Sequence, residues 1–208
     1  MTTLNIKIGS SKSQKPDREK ERIHFKSGVF IATALVGLIT IAFIAQQFFA
    51  TKFCPGIKPQ ELQGLWGMFL YPFFHSNATH LLSNAAPLFL LTLGMYYYFP
   101  TKLLPALLSI WLLSALFIWG LGRPGCHLGA SGVVYGLAFF LSAMGFIKKQ
   151  RNLSAFALII VFLYGSMVWG VLPQDTGISW EGHAGGALTG LLLAFPRNAS
   201  VLWQNTGI

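Results

Sequence analysis

Six apolar runs, each close to the length needed to cross a bilayer, fill most of this 208-residue chain and constrain it more than any other feature. About 20 apolar residues in a helix span a hydrocarbon core of about 30 Å. Within that core every backbone N–H and C=O must be paired internally, so each run is expected to be helical. The spans read as 28–50, 80–99, 103–121, 129–147, 153–172 and 181–195. Only 10% of residues are charged and 53% are hydrophobic, whereas a soluble domain carries about a quarter charged residues. The expected fold class is therefore an all-α polytopic membrane protein, with no room for a separate soluble domain.

The basic residues set the orientation. Residues 1–27 form a basic tail with little to build a core from, so disorder is expected there. Seven Lys/Arg lie in that tail, and Lys102, Lys148, Lys149, Arg151 and Arg197 follow even-numbered spans on the same side. The opposite side holds only Lys52, Lys58 and Arg123. The positive-inside rule places both termini, including the short tail 197–208, in the cytoplasm. The net charge of +9 then reflects membrane topology, and no nucleic-acid partner is expected. The expected location is a bacterial cytoplasmic membrane. The first span is too long for a signal-peptide core and reads as an uncleaved anchor.

The long first outer loop, 51–79, is not a simple connector. Leu65, Trp66, Met68, Phe69, Tyr71, Phe73 and Phe74 crowd into it, which points to a segment lying at headgroup level. Cys54 and Cys126 both fall on the outer side, where a disulfide is permitted but not required.

Depth brings the polar residues together. Ser131 precedes Lys148 by 17 residues, Asn84 precedes Lys102 by 18, and His183 precedes Arg197 by 14. At about 1.5 Å per residue these are roughly 25, 27 and 21 Å, one layer below the outer surface. Polar side chains sharing a depth in a membrane domain indicate function. Ser131 sits between Gly129 and Gly132, which leave the backbone open to close approach. The free N–H groups of a helix start beside it suit a developing oxyanion. The bland alternative for this stretch is a packing seam of small residues.

Spacing adds a pairing. His183, Gly186 and Gly190 share one face of the sixth span, and Ser131, Tyr135, Ala138, Ser142 and Gly145 offer a small-residue face on the fourth. Those two spans are expected to pack backbone to backbone, with Ser131 and His183 close and Tyr135 stacked beneath the imidazole. Gly185 points away from that seam, so Gly185→Ala is expected to be nearly silent. His80 and Asn84, four apart, share a face of the second span. A serine hydroxyl is a weak nucleophile unless a base assists it, and Ser131 with His183 is the minimum for that chemistry. Asp175 and Glu181 are not placed by helical periodicity to orient His183 and read as solvated loop charges. His75, His80 and His183 lack metal-ligand spacing, so neither metal nor cofactor is expected. His24 and His127 signal nothing beyond interface polarity.

These residues resemble the rhomboid intramembrane serine proteases, from about Gly64 to Pro196. The family's Gly-x-Ser-Gly stands as Gly129-Ala130-Ser131-Gly132, its His-x-x-Gly-x-x-x-Gly begins at His183, and its His-x-x-x-Asn runs from His80 to Asn84. The resemblance implies a six-helix rhomboid fold, Ser131 as nucleophile and His183 as general base. It also implies His80, Asn84 and the Ser131 backbone N–H as oxyanion stabilisers. Gly129, Gly132, Tyr135, Gly186 and Gly190 are the expected supporting residues. One departure is visible: the family often has Trp-Arg in the first outer loop, and here Trp66 is followed by Gly67. The implied substrates are transmembrane segments of other membrane proteins, cut near their outer ends within the lipid bilayer. The alternative is a non-catalytic relative that binds or escorts transmembrane helices.

Overall fold

The structure, a computed structural model, describes residues 18–48, 54–174 and 177–195. Its elements are α1 (Arg18–Phe48), the four-residue α2 (Gly67–Leu70), α3 (Ala78–Tyr98), α4 (Pro100–Leu121), α5 (Ser131–Lys148), α6 (Arg151–Tyr164) and α7 (Trp180–Ala194). Two 3-10 turns, Leu62–Leu65 and Tyr71–Phe73, flank α2, and a third, Gly165–Val171, prolongs α6. Among the described residues the only β pairing is a single bridge between Ile57 and His127.

Among the described residues, five helical stretches are long and apolar enough to cross a membrane: α1, α3, α4, α5 and 151–171. The chain is an integral, multi-pass membrane protein. Helix α7 has 15 residues, about 22 Å at the usual rise, and is packed between α4 and α5. α1 begins ten residues before the expected first span, at Arg18. The Arg18–Lys26 stretch expected to be disordered is therefore helical, because one helix continues past the apolar run. His24 stacks on Tyr96 at 4.8 Å and holds it against α3. Residues 1–17 of the expected tail lie outside the described residues, as does 197–208.

The fourth span starts at Ser131, two residues later than expected. Gly129 takes a φ of +117°, a conformation that suits glycine alone and ends the preceding loop sharply. α5 forms the centre of the core: Val133, Val134, Leu137, Phe140, Leu141 and Met144 are all buried. α7 lies along one side of it, and α3 and α6 flank it on others. α3 and α6 meet at their Lys148-side ends, where the Tyr98 hydroxyl donates to the Asn152 carbonyl at 3.1 Å and the Tyr98 ring lies 5.6 Å from Phe156.

The first long loop divides its apolar residues in two. Ile57 and Tyr71 are buried beneath it, while Leu62, Leu65, Trp66, Phe69 and Leu70 are exposed at helical spacing. That exposed stripe accords with a segment resting in the interface. Gly67, where the family often has Arg, is required by the crossing of two backbones. A Cβ on it would strike the Gly56 carbonyl.

Candidate active site

Ser131, His183, His80, Asn84 and Tyr135 all line one open cavity of about 1240 Å³ at the end of the bundle where α5 begins. Three helices, α3, α5 and α7, deliver them, and each delivery has a local cause. Asn77 caps α3 by accepting from the His80 N–H at 2.8 Å, which fixes where that helix starts. One turn on, Asn84 is buried and its Nδ2 donates to the His80 carbonyl at 2.8 Å, leaving the second amide hydrogen uncommitted. His80 Nδ1 pairs with the Ser76 hydroxyl at 3.2 Å. The His80 ring lies so near Gly129 that a Cβ there would approach its Nε2 to 2.7 Å. Gly129 thus serves both the turn and the contact.

His183 is 8% exposed. Its Nδ1 donates to the Gly170 carbonyl at 2.9 Å, which fixes the proton on Nδ1 and leaves a lone pair on Nε2. Its ring stacks on Tyr135 with centroids 4.1 Å apart and planes 7° from parallel. The imidazole is therefore held on one face by Tyr135 and at one edge by a main-chain carbonyl. Ser131 lies at the first position of α5, where its N–H has no intrahelical acceptor.

The glycine seam between α5 and α7 is real, but its α5 side is not the predicted one. A Cβ on Gly186 would fall on the Gly132 carbonyl, and one on Gly190 on the Gly136 carbonyl. Gly132 and Gly136 thus face α7. Gly145, assigned to that seam from spacing, packs on Ala157 of α6 and accepts from the Ser154 hydroxyl at 2.7 Å. Ala138 and Ser142 line a small pocket shared with α6. Spacing alone identified a small-residue face but not its partner. Gly185 also differs from expectation. It does point away from α5, yet onto α4, where a Cβ would meet the Phe117 Cβ at 2.8 Å. Gly185→Ala is therefore not a silent change.

Several residues that the sequence left without a role hold this site. His75 is fully buried. Its Nε2 accepts from the Ala130 N–H at 3.4 Å, one residue before Ser131, and its ring meets His80 edge-on at 5.1 Å. The Gln46 side chain of α1 grips the His75 backbone at both its N–H and its C=O. Burial chiefly, and then the charge of His80, push the His75 pKa down to about 4. The Phe73 carbonyl opposes this weakly, and Nδ1 makes no hydrogen bond of ordinary geometry. Cys54 and Cys126 form a disulfide with Cα atoms 5.7 Å apart. Glu181, read from sequence as solvated, is completely buried and ion-paired with Arg123 at 2.6 Å. His127 likewise is no idle interface residue, since it bonds to both Ser179 and Arg123. Asp175 lies outside the described residues. Most of these pairings join segments far apart in the chain, which is why periodicity could not find them.

The family model of the rhomboid domain matches residues 62–199. This chain belongs to the rhomboid family. An uncharacterised protein of Mycobacterium bovis is 33% identical over 182 residues, covering 83% of this chain and 75% of that protein. An uncharacterised protein of Mycobacterium leprae is 28% identical over 196 residues, with 89% and 78% covered. A mimivirus protein whose name places it among the rhomboids is 29% identical over 128 residues, 58% of this chain and 68% of its own length. All three motifs that carried the resemblance fall within the matched rhomboid region.

Proposed function

We propose that this rhomboid is an intramembrane serine endopeptidase working through a dyad of Ser131 and His183. One observation carries the reading: the His183 Nδ1 is satisfied by the Gly170 carbonyl while its ring stacks on Tyr135 in the cavity Ser131 lines. That leaves Nε2 as the basic atom for the Ser131 proton. It also argues for a dyad over a triad, because Glu181, the carboxylate nearest in sequence, is committed to Arg123. An orienting carbonyl fixes the tautomer as a carboxylate would, without placing a second charge at membrane depth.

The proposed steps follow. Ser131 Oγ attacks the carbonyl carbon of a substrate peptide bond as His183 Nε2 takes its proton. The second Asn84 amide hydrogen, His80 Nε2 and the Ser131 N–H stabilise the oxyanion, each such donor being worth about 3–4 kcal/mol in serine proteases. His183 returns the proton to the leaving amine, and water then hydrolyses the acyl-enzyme. The substrate is the transmembrane segment of another membrane protein, entering from the bilayer. α3 and α6 offer the route, since Tyr98 and Phe156 join them at one end while the cavity reaches from Asn84 to Tyr164 and Met167 at the other. A segment with small or helix-breaking residues would enter best, because a helix hides its peptide groups. The charge distribution supports cytoplasmic termini, a cut near the substrate's outer end and a bacterial cytoplasmic membrane.

The test is covalent labelling with a fluorophosphonate, beside cleavage of a transmembrane substrate in liposomes. Ser131→Ala and His183→Ala should each abolish cleavage with the melting temperature retained, because the dyad acts as a unit. Labelling that survives in Ser131→Ala would sink Ser131 as nucleophile, and a parent chain that neither labels nor cleaves would favour the alternative, a protein that binds transmembrane helices without cutting them.

A further inference from the structure

The loop that leads into Ser131 and the turn that opens α7 are some 50 residues apart in sequence, and one side chain joins them. Arg123 lies just after α4. Its Nε donates to Glu181 Oε1 at 2.6 Å, and its own backbone N–H reaches the same oxygen at 3.1 Å. Its Nη1 donates to the Gln174 carbonyl at 2.8 Å, and its Nη2 to the Ile178 carbonyl at 2.9 Å. Glu181 is two residues before His183 on α7. Gln174 and Ile178 belong to the connection between Gly170, which orients His183, and α7 itself. A guanidinium is a planar fork with five donors, so it can meet acceptors in separate directions, as an ammonium cannot.

A second bolt repeats the link. His127 Nε2 donates to the Arg123 carbonyl at 2.8 Å. His127 Nδ1 is hydrogen-bonded to the Ser179 hydroxyl at 2.6 Å. Three pieces of chain therefore meet at Arg123: the approach to Ser131, the start of the His183 helix, and the segment from Gly170.

Below that point the contact of α7 with α5 is mostly glycine on carbonyl. Glycine on carbonyl sets how closely the two helices approach, and the stack of His183 on Tyr135 with its bond to the Gly170 carbonyl locates the ring within that approach. The Arg123 junction adds a further restraint at the end of α7, tying the start of the His183 helix to the loop that leads into Ser131. We infer that Arg123 is a positioning residue for the dyad, setting His183 against Ser131 by way of Glu181. This inference rests on the serine-hydrolase reading above.

Two variants separate positioning from plain stabilisation. Arg123→Lys keeps a charge opposite Glu181 but loses the fork. Arg123→Gln combined with Glu181→Gln removes both charges, so no unpaired carboxylate stays buried. Each is assayed, after a thermal melt fixes the folded fraction, for fluorophosphonate labelling rate and for kcat and KM on a transmembrane substrate. Displacements of about 1 Å cost up to about 100-fold, so a partial loss of register should lower labelling rate and kcat about tenfold. KM should stay within about twofold; Arg123 also lines the cavity, so a large KM rise with unchanged kcat would make it a substrate-binding residue and overturn the inference. A folded variant of either kind that labels and cleaves at the parental rate overturns the inference. So does unfolding of both, which would make Arg123 a stability residue only. A parent chain that takes up no label strikes the hydrolase reading instead, and the inference with it.

Discussion

Two regions of this molecule hold the same pair of residues by opposite means. Along α5 and α7 the contact depends on missing side chains: Gly132, Gly136, Gly186 and Gly190 bring backbones together with little polar bonding between them. At the Ser131 end, the loop 126–130 is fastened residue by residue. Cys126 is bonded to Cys54, His127 pairs with Ile57, the Gly129 N–H donates to the Tyr71 carbonyl at 2.8 Å, and the Ala130 N–H points to His75. The difference follows from the surroundings. In hydrocarbon there is no hydrophobic force to drive helices together, so close packing must supply the attraction, and glycine permits the closest approach. Near water an irregular loop must instead satisfy its backbone groups one by one. The seam should therefore fail through bulk, and the loop through chemistry.

The largest expected effect is on the seam. Gly186→Val puts branched carbons where the Gly132 carbonyl stands, and the helices can only separate. Cleavage should fall by at least about 100-fold, with a lower melting temperature and no dependence on reductant or pH. Parental activity in that variant would mean that the seam does not set the dyad distance.

The disulfide comes next. Cys126 is exposed and the bond closes a separation of 72 residues, so a reductant can reach it. In a free chain such a crosslink contributes at most about 4 kcal/mol. Here the gain is smaller, because α3 and α4 lie within the closed segment and stay inserted when the fold loosens. Reduction should lower the melting temperature and slow labelling of Ser131 several-fold, and should leave the loss in Gly186→Val unaltered. A melting temperature indifferent to reductant would show that the loop's hydrogen bonds suffice alone.

The smallest effect concerns acid. His75 carries a folded pKa of about 4 against an ordinary value of 6.5. Between those two values the unfolded chain binds a proton that the folded chain refuses. His75 therefore contributes its full stability above about pH 6.5, and that contribution is lost as the pH falls toward 4. The difference amounts to about 3 kcal/mol at most. Protonation would also turn the Nε2 acceptor into a donor facing the Ala130 N–H. His75→Asn should flatten the pH dependence of the melting temperature in this window. An unchanged slope would assign the acid sensitivity to another group.

What could be read from the sequence was whatever one segment settles alone. The apolar runs fixed the membrane class because a spanning helix satisfies its own backbone, whatever its neighbours. Ser131, His183 and Asn84 could be placed at one depth because rise per residue is constant along a helix. Tyr135 could be set beneath His183 by the same count, and the structure stacks them. Tertiary structure alone decided which partner each face meets. Gly145 went to α6 and Gly185 to α4, since rotation of a helix about its axis is chosen by its neighbours' shapes. It decided that Glu181 is buried, because burial of a carboxylate depends on an arginine 58 residues away. It also gave His75 its work, through Gln46 on a helix the motif does not include. These are bonds between distant segments, and no local propensity or period encodes them.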